Sequence, residues 1–239
     1  MNFKTSITKL VDGQEEIRGH KLDKLIQENG FVAAIYLLTK GELPDEKEKK
    51  MFEALLTAAI DHGPGTASGM TSRITASADN SLHTSVASGI LAMGEKHGSA
   101  IKGAMKFFYD NGGSEDVEQL VKQRKESGDY IPGYGHPELD QDKRSQTLFD
   151  LAEELGFYGK YCRFAEDIRE ELNNSSSTTI PLNIDGAMAA ILCELGFDWK
   201  IAKGIFIIAR VPGLVAQVFE EKEQGGSIKR LGEDEIEYK

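Results

Sequence analysis

The spacing of apolar residues is the feature that most limits how this 239-residue chain can fold. Segment 30–44, GFVAAIYLLTKGELP, carries apolar residues at helical intervals and then stops at Gly41 and Pro44. Asp45 offers a cap for a second helix, whose apolar stripe runs up to His62. No segment alternates with period two for long enough to predict a strand. The sequence therefore predicts an all-α fold.

Changes in composition along the chain suggest two parts. The charged amphipathic helix predicted at 114–128 suits a peripheral lobe, with a Ser-x-x-Val start. The polar break NNSSSTTIP at 173–181 separates it from two consecutive buried helices. We therefore predict a large helical domain from residues 1–100 and 181–239, with a smaller helical lobe of residues 101–180 inserted.

Charge and cysteine content narrow the range of partners. The net charge of -11 and the pI near 5.0 disfavour binding to phosphate backbones or anionic lipid. The first residues lack the apolar core of a signal peptide, and we expect no run that approaches a membrane span of about 18 to 20 apolar residues. Cys162 and Cys193 are expected to be buried free thiols. A cytoplasmic protein without nucleic-acid or membrane partners is predicted.

Three histidines stand beside glycine and are candidates for chemistry. They are His62 in DHGPG, His97 in KHGSA and His136 in IPGYGHP. Glycine lets a ligand approach closely, and the imidazole pKa lies near neutrality. A cap or a polar contact at a helix end is the alternative for each histidine taken singly.

Three further charged residues stand out. Asp185 lies in the apolar context PLNIDGAMAAI, where a carboxylate is costly unless it is paired or caps the helix. Arg210 ends the apolar run IIAR, so it either meets a carboxylate or serves as a cation at a helix C-terminus. Arg144 in DQDKR is the third of these charges.

The chain lacks the sequence motifs of several common kinds of site. No two of these histidines have the H-E-x-x-H spacing, and no cysteine accompanies them, so no metal site is predicted. The chain has neither a phosphate-binding GxxxxGK[ST] loop nor a G-x-S-x-G nucleophile elbow.

Taken together, the motifs resemble the citrate synthase superfamily, which includes stand-alone citryl-CoA lyases and the C-terminal module of ATP-citrate lyase. The likeness covers nearly the whole chain and keeps the family's order: IRGHKLDKL to GELP, then DHGPG, KHGSA, IPGYGHP, DQDKR, NIDGA and IIARVPG. It implies a citrate-synthase-like helical fold, in which the smaller lobe closes over the site. It also implies a coenzyme A thioester as substrate, no tightly bound cofactor, and a homodimer or tetramer.

The resemblance implies a role for each histidine and for the aspartate. His62 would touch the oxaloacetate part of the ligand, and His97 would hydrogen-bond the thioester oxygen. His136 would face the oxaloacetate carbonyl or the citryl hydroxyl. Asp185 would be the acid or base at the acetyl methyl.

It likewise implies that arginines hold the substrate carboxylates. Arg144 matches the family's Asp-Pro-Arg, and Arg210 matches its Ala-Arg-x-x-Gly. Arg230, in SIKRLG, corresponds loosely to an arginine that the family reaches across a dimer.

Some positions depart from the family pattern: His20, Ser99, Pro137 and Lys143 replace Tyr, Gly, Arg and Pro. The compact length and DHGP resemble the lyase module and favour a citryl-CoA lyase acting on citryl-CoA, oxaloacetate and acetyl-CoA. The retained His97 leaves a citrate or 2-methylcitrate synthase open. The departures would suit a third alternative, a non-catalytic assembly or regulatory paralogue.

Overall fold

The structure is a computed structural model that describes residues 2–95, 97–98, 100–114, 116–135 and 142–239. It is mostly helical, which confirms the predicted all-α class. In chain order the strands and α-helices are β1 (Thr8–Val11), β2 (Gln14–Ile17), β3 (His20–Lys21), α1 (Leu22–Lys24), α2 (Gly30–Lys40), α3 (Glu46–Ala58), α4 (Ala67–Ser77), α5 (Leu82–Leu91), α6 (Ala100–Asn111), α7 (Val117–Glu126), α8 (Lys143–Leu155), α9 (Lys160–Asn174), α10 (Ile184–Glu194) and α11 (Ala202–Gln224). A π-helical turn spans Leu25–Asn29, and 3-10 turns span Trp199–Ile201 and Glu233–Glu235.

Three short strands near the N-terminus were not predicted. They form an antiparallel sheet in the order β1-β2-β3. Asp12 and Gly13, with φ of 49° and 79°, join β1 to β2 in a two-residue turn of the kind that Asp-Gly favours. β1 is exposed along its whole length, so it lacks the apolar alternation that marks a strand with one buried face.

The predicted helix boundaries around Gly41 are confirmed. α2 ends at Gly41, whose φ is 98° and whose N–H donates to Leu37 O at 2.8 Å. Asp45 Oδ1 accepts from the Glu48 N–H at 2.8 Å, and Glu48 Oε2 accepts from the Asp45 N–H at 2.9 Å. This reciprocal pair is a capping box that starts α3. α7 begins at Val117 rather than at residue 114, and its cap is Asp116, whose carboxylate accepts from Gln119 N.

The chain divides into two compact units. The first comprises Met1–Leu55 and Ile101–Ala202, and the second comprises Leu56–Ala100 and Lys203–Lys239. The boundaries between the units fall after residues 55, 100 and 202. The second falls where the predicted lobe begins, and the third falls after residue 202 rather than near residue 181. The division into a large domain and an inserted lobe stays a prediction.

The first unit is built around α10, in which every residue from Gly186 to Cys193 is buried. α10 packs against α8 and α9. Beside them Tyr36, Phe52 and Phe197 form an aromatic cluster with ring centroids 5.1 to 5.4 Å apart. Cys162 and Cys193 are free and buried, as predicted.

The second unit combines α4, α5 and α11. α4 and α5 pack closely, because a Cβ at Gly89 would lie 2.9 Å from Ser68 O. The absence of a side chain at Gly89 therefore allows the two helices to approach closely. Arg73 Nε on α4 donates to Glu221 Oε2 on α11 at 2.8 Å, with the Glu221 side chain buried.

One expectation about membrane spans is wrong. Trp199–Gln224 is long and apolar enough to cross a membrane by length and composition, with a mean hydropathy of 1.6 over its most apolar window. Yet 44% of that window is buried inside the protein. Buried core helices pass the same test, so the helix is only a weak indication of a membrane span.

Candidate active site

Arg210 is the centre of a polar cluster in the second unit. Arg210 is 1% exposed. It lies inside α11 rather than at the end of a helix, so the alternative of a cation at a helix C-terminus is wrong. Nε donates to Ala59 O at 2.8 Å, and Nη2 lies 3.1 Å from His62 Nδ1. A buried guanidinium needs such partners, because a bare buried charge is expensive.

The contact with Arg210 fixes how His62 is protonated. A guanidinium can only donate, so Nδ1 of His62 accepts, and the ring proton of the neutral imidazole lies on Nε2. The loop that carries His62 is held by Asp61, whose Oδ2 accepts from Gly63 N at 3.0 Å and from Gln217 Nε2 at 3.1 Å. His62 can therefore donate a hydrogen bond from Nε2 to a carboxylate or carbonyl oxygen.

His97 is half-buried, and its Nε2 lies 2.8 Å from the hydroxyl oxygen of Ser68, a fully buried residue. Burial, followed by the charge of Arg210, lowers the pKa of His97 below its ordinary value. The Ser68 hydroxyl can donate to Nε2 or accept from it, so either tautomer of the neutral imidazole fits this contact. In the tautomer that accepts from Ser68, Nδ1 carries the proton and is a neutral donor suited to a developing oxyanion.

Phe206 links the two sides of this cluster. Its ring lies under the Arg210 guanidinium, 4.9 Å from carbon to centroid, in a cation–π contact. The same ring packs against Gly98, where φ is 79° and an added Cβ would approach a ring carbon to 3.0 Å. Gly98 thus gives the turn after His97 room against the aromatic ring.

A second cluster lies in the first unit, at the start of α8. Asp142 caps α8, and its carboxylate grips Arg144 with Oδ1 to Nε at 2.9 Å and Oδ2 to Nη2 at 2.8 Å. Oδ2 also accepts from the N–H of Ile184 at 3.1 Å. Burial alone would raise the pKa of Asp142, but the hydrogen bonds and charge of Arg144 hold it below its ordinary value.

Asp185 lies in the first turn of α10, and it is not the helix cap. Asn183 caps α10, since its Oδ1 accepts from Gly186 N at 3.1 Å. The capping alternative for Asp185 is therefore wrong, and this half-buried residue remains a candidate for chemistry. Burial raises the pKa of Tyr130, a hydrogen bond to Tyr134 O opposes that rise, and the charge of Asp185 adds to it.

The segment before His136 is held against the start of α10. Asn183 Nδ2 donates to Gly135 O at 3.0 Å, and Asn183 N donates to Gly133 O at 3.0 Å. A Cβ at Gly186 would lie 2.3 Å from Gly133 O, so this close approach requires glycine. His136 itself lies outside the described residues, as do Pro137 and Ser99.

The structure thus groups His62, His97 and Arg210 in one unit, and Arg144 and Asp185 in the other. Arg230 lies exposed in the C-terminal tail and makes no ion pair with any of the residues that the structure describes. Lys143 is the exposed first residue of α8.

Other features of the described residues bear on cofactors and ligands. Within the described ranges, no three His, Cys, Asp or Glu side chains could hold a metal ion. A cavity of about 390 Å³ opens beside α8 and α9 and is bordered by Asp142, Ser145 and Arg169. Among the described residues, those predicted for the site do not line it.

Ser68, Phe206 and Asp142 belong to the two clusters without having been predicted as site residues. Ser68 and Phe206 carry no local signal, because their partners lie far along the chain. Asp142 lies within DQDKR, and its position just before a helix is a signal that could have predicted it as a cap.

The family model for the citrate synthase C-terminal domain matches residues 44–231. The chain belongs to the citrate synthase family, and the predicted citrate-synthase-like enzyme class is confirmed.

Among solved structures, the chain is similar to citryl-CoA lyase from Hydrogenobacter thermophilus, with 46% identity and a TM-score of 0.94. That match covers 99% of this chain and 94% of the other. The fold is also shared with ATP citrate lyase from Methanothrix soehngenii, at 24% identity, a TM-score of 0.88, and coverage of 100% and 42%.

Curated relatives are more distant in sequence. A probable ATP-citrate synthase of Dictyostelium discoideum is 27% identical over 83% of this chain and 35% of its own length. Citrate synthase 2 of Bacillus subtilis is 27% identical over 85% of this chain and 55% of its own length. The chain spans about a third of the length of the ATP-citrate synthases it matches.

Proposed function

We propose that the chain is a citryl-CoA lyase, which reversibly cleaves citryl-CoA to oxaloacetate and acetyl-CoA. The observation that carries the proposal is the 46% identity to the Hydrogenobacter thermophilus citryl-CoA lyase over nearly all of both chains. The coenzyme A thioester is then a substrate, not a resident cofactor.

The reaction is a retro-Claisen step. The tertiary hydroxyl of citryl-CoA loses its proton, and its oxygen becomes the ketone of oxaloacetate as the carbon–carbon bond breaks. The bonding electron pair passes to the acetyl fragment, which becomes the enolate of acetyl-CoA. A proton delivered to the terminal carbon of the enolate completes acetyl-CoA.

The described side chains suit the charges that develop. His97 is neutral and would donate from Nδ1 to the enolate oxygen, a contribution of about 3 to 4 kcal/mol for a well-placed donor. Asp185, in its acid form, would protonate the enolate carbon. His136 remains the predicted partner of the citryl hydroxyl.

The arginines would hold the carboxylates of the ligand. Arg210 and His62 present donors from one cluster, and Arg144 presents a guanidinium oriented by Asp142. Bidentate arginine contacts fix the orientation of a carboxylate as well as its affinity.

A citrate synthase is the second candidate. It is favoured by the retention of His97, which lies beside Ser68, and by the similarity to citrate synthase 2 of Bacillus subtilis. A synthase would form citryl-CoA and then hydrolyse its thioester.

The products of citryl-CoA distinguish the two enzymes. Purified protein is expected to release oxaloacetate and acetyl-CoA. Oxaloacetate is measured with a coupled malate dehydrogenase assay, and acetyl-CoA is measured by chromatography. Release of citrate and free coenzyme A would contradict the lyase and support the synthase.

The variant Asp185→Asn tests the proposed acid. Its activity is expected to fall by about 10² to 10⁴, since an amide cannot deliver the proton. Asp198→Asn is the matched control, because Asp198 only caps the 3-10 turn by accepting from Lys200 N. An active, folded Asp185→Asn protein would remove Asp185 from the mechanism.

A further inference from the structure

We propose that Asp142 is a positioning residue, which holds the Arg144 guanidinium and the start of α10 in one fixed arrangement. The inference rests on the proposed function, in which Arg144 binds a substrate carboxylate and Asp185 acts from the first turn of α10. Asp142 itself touches no substrate atom in this account.

The geometry around this carboxylate is saturated. Oδ1 accepts from Arg144 Nε at 2.9 Å and from its backbone N at 3.1 Å. Oδ2 accepts from Arg144 Nη2 at 2.8 Å and from Ile184 N at 3.1 Å. Asp142 is 5% exposed, so these four bonds are made largely out of water, where charge-assisted hydrogen bonds are strong.

This arrangement joins two segments that are 42 residues apart in sequence. The Nε and Nη2 edge of Arg144 is engaged by the carboxylate, which sets the plane of the guanidinium. Ile184, the residue before Asp185, is tied to the same carboxylate. A shift of Asp142 would therefore displace both the proposed carboxylate contact and the proposed acid.

Helix capping alone does not require these bonds. Asp116 caps α7 by accepting from Gln119 N at 2.8 Å, without a bidentate arginine. α10 already has its own cap in Asn183. The bonds from Asp142 to the Arg144 side chain and to Ile184 are additional, and they connect two residues predicted to act on one substrate.

The variant Asp142→Asn separates positioning from capping. Asparagine caps a helix as well as aspartate does, so α8 should form normally. An amide offers one acceptor oxygen and no charge, so the grip on Arg144 is lost. The calorimetric Kd for oxaloacetate is expected to rise about tenfold or more, and kcat for citryl-CoA to fall.

Controls distinguish the possible outcomes. Asp116→Asn, a matched change at a cap, should leave Kd and kcat unchanged, and thermal unfolding reports on folding. Asp142→Glu keeps the charge, so its Kd should lie between those of the wild type and Asp142→Asn. A folded Asp142→Asn protein with wild-type Kd and kcat overturns the inference and leaves the function intact.

Two further results are decisive. If Asp142→Asn does not fold, the Glu variant is the test, and a wild-type Kd and kcat in that variant overturn the inference. If the wild-type chain neither binds oxaloacetate nor cleaves citryl-CoA, the proposed function fails, and the inference fails with it.

Discussion

The protonation of His97 depends on two neighbours that come from other helices. Ser68 on α4 contacts Nε2, and Arg210 on α11 adds a positive charge that opposes a second proton. The half-buried position also favours the neutral ring. The preference of His97 for the neutral form is therefore a property of the packed unit.

Ser68→Ala is expected to lower kcat for citryl-CoA about 10- to 100-fold, because His97 loses the hydroxyl that holds its ring in position. Ser72→Ala is the matched control: Ser72 is also fully buried on α4, but it donates to Gly69 O at 2.8 Å. Equal kcat values for the two variants would contradict the role given to Ser68.

The lowered pKa of His97 also predicts how stability depends on pH. Below the unfolded value of about 6.5, the unfolded chain takes up a proton that the folded protein resists. The neutral His97 therefore makes its full contribution to the free energy of unfolding above pH ~6.5. This contribution is lost as the pH falls towards the pKa of the folded protein. The free energy of unfolding in urea should fall more steeply below that pH for the wild type than for His97→Gln, and parallel curves would contradict the prediction.

At the scale of elements, glycine allows close approaches that position the clusters. Gly213 on α11 lies against the loop that carries His62, where an added Cβ would sit 2.2 Å from Ile60 O and 2.9 Å from Asp61 Cβ. Gly186 on α10 has the same relation to Gly133. The nearest contact of each glycine is a backbone carbonyl oxygen, which cannot move aside as a flexible side chain can.

Gly213→Ala is expected to lower the free energy of unfolding by about 1 to 3 kcal/mol. The helix propensity of alanine exceeds that of glycine by about 1 kcal/mol and opposes the clash. The sign of the change in the free energy of unfolding therefore shows which of the two effects is larger. Gly65→Ala, in the same loop region and with open space around its Cβ, is the control. A stabilised Gly213→Ala protein in chemical denaturation would contradict this account.

At the scale of the whole molecule, apolar side chains remain exposed on the helices of the second unit. Leu91 on α5 is 84% exposed, and Phe219 on α11 is 59% exposed. Large exposed apolar patches are typical of association sites. We propose that the chain forms a homodimer or a tetramer. The reach of Arg230 to a neighbouring copy and the cytoplasmic location stay predictions.

Light scattering coupled to size exclusion tests the oligomer. The measured mass should be at least twice the 26.3 kDa of one chain at micromolar concentration. Leu91→Lys should shift the equilibrium towards monomer, whereas Lys47→Ala, at an already polar and exposed position, should not. A wild-type mass equal to one chain over this range would contradict the proposal.

Much of the local structure could be predicted because its causes are local. Gly41 ends α2, and Asp45 with Glu48 starts α3, through contacts within a few residues. The short strands were not predicted, because their exposed residues lack an apolar alternation. The Asp12–Gly13 turn was the one local signal of a hairpin.

The sequence by itself determined the helical class, the helix ends and the family, because periodicity, caps and motif order are written in neighbouring residues. It also supplied His62, His97, Arg144, Asp185 and Arg210 as candidates. Only the tertiary structure decided their partners. Ser68 meets His97 across 29 residues, and Asp142 meets Ile184 across 42. Such contacts exist only after distant helices pack, since burial and hydrogen bonding then select one orientation for each polar group.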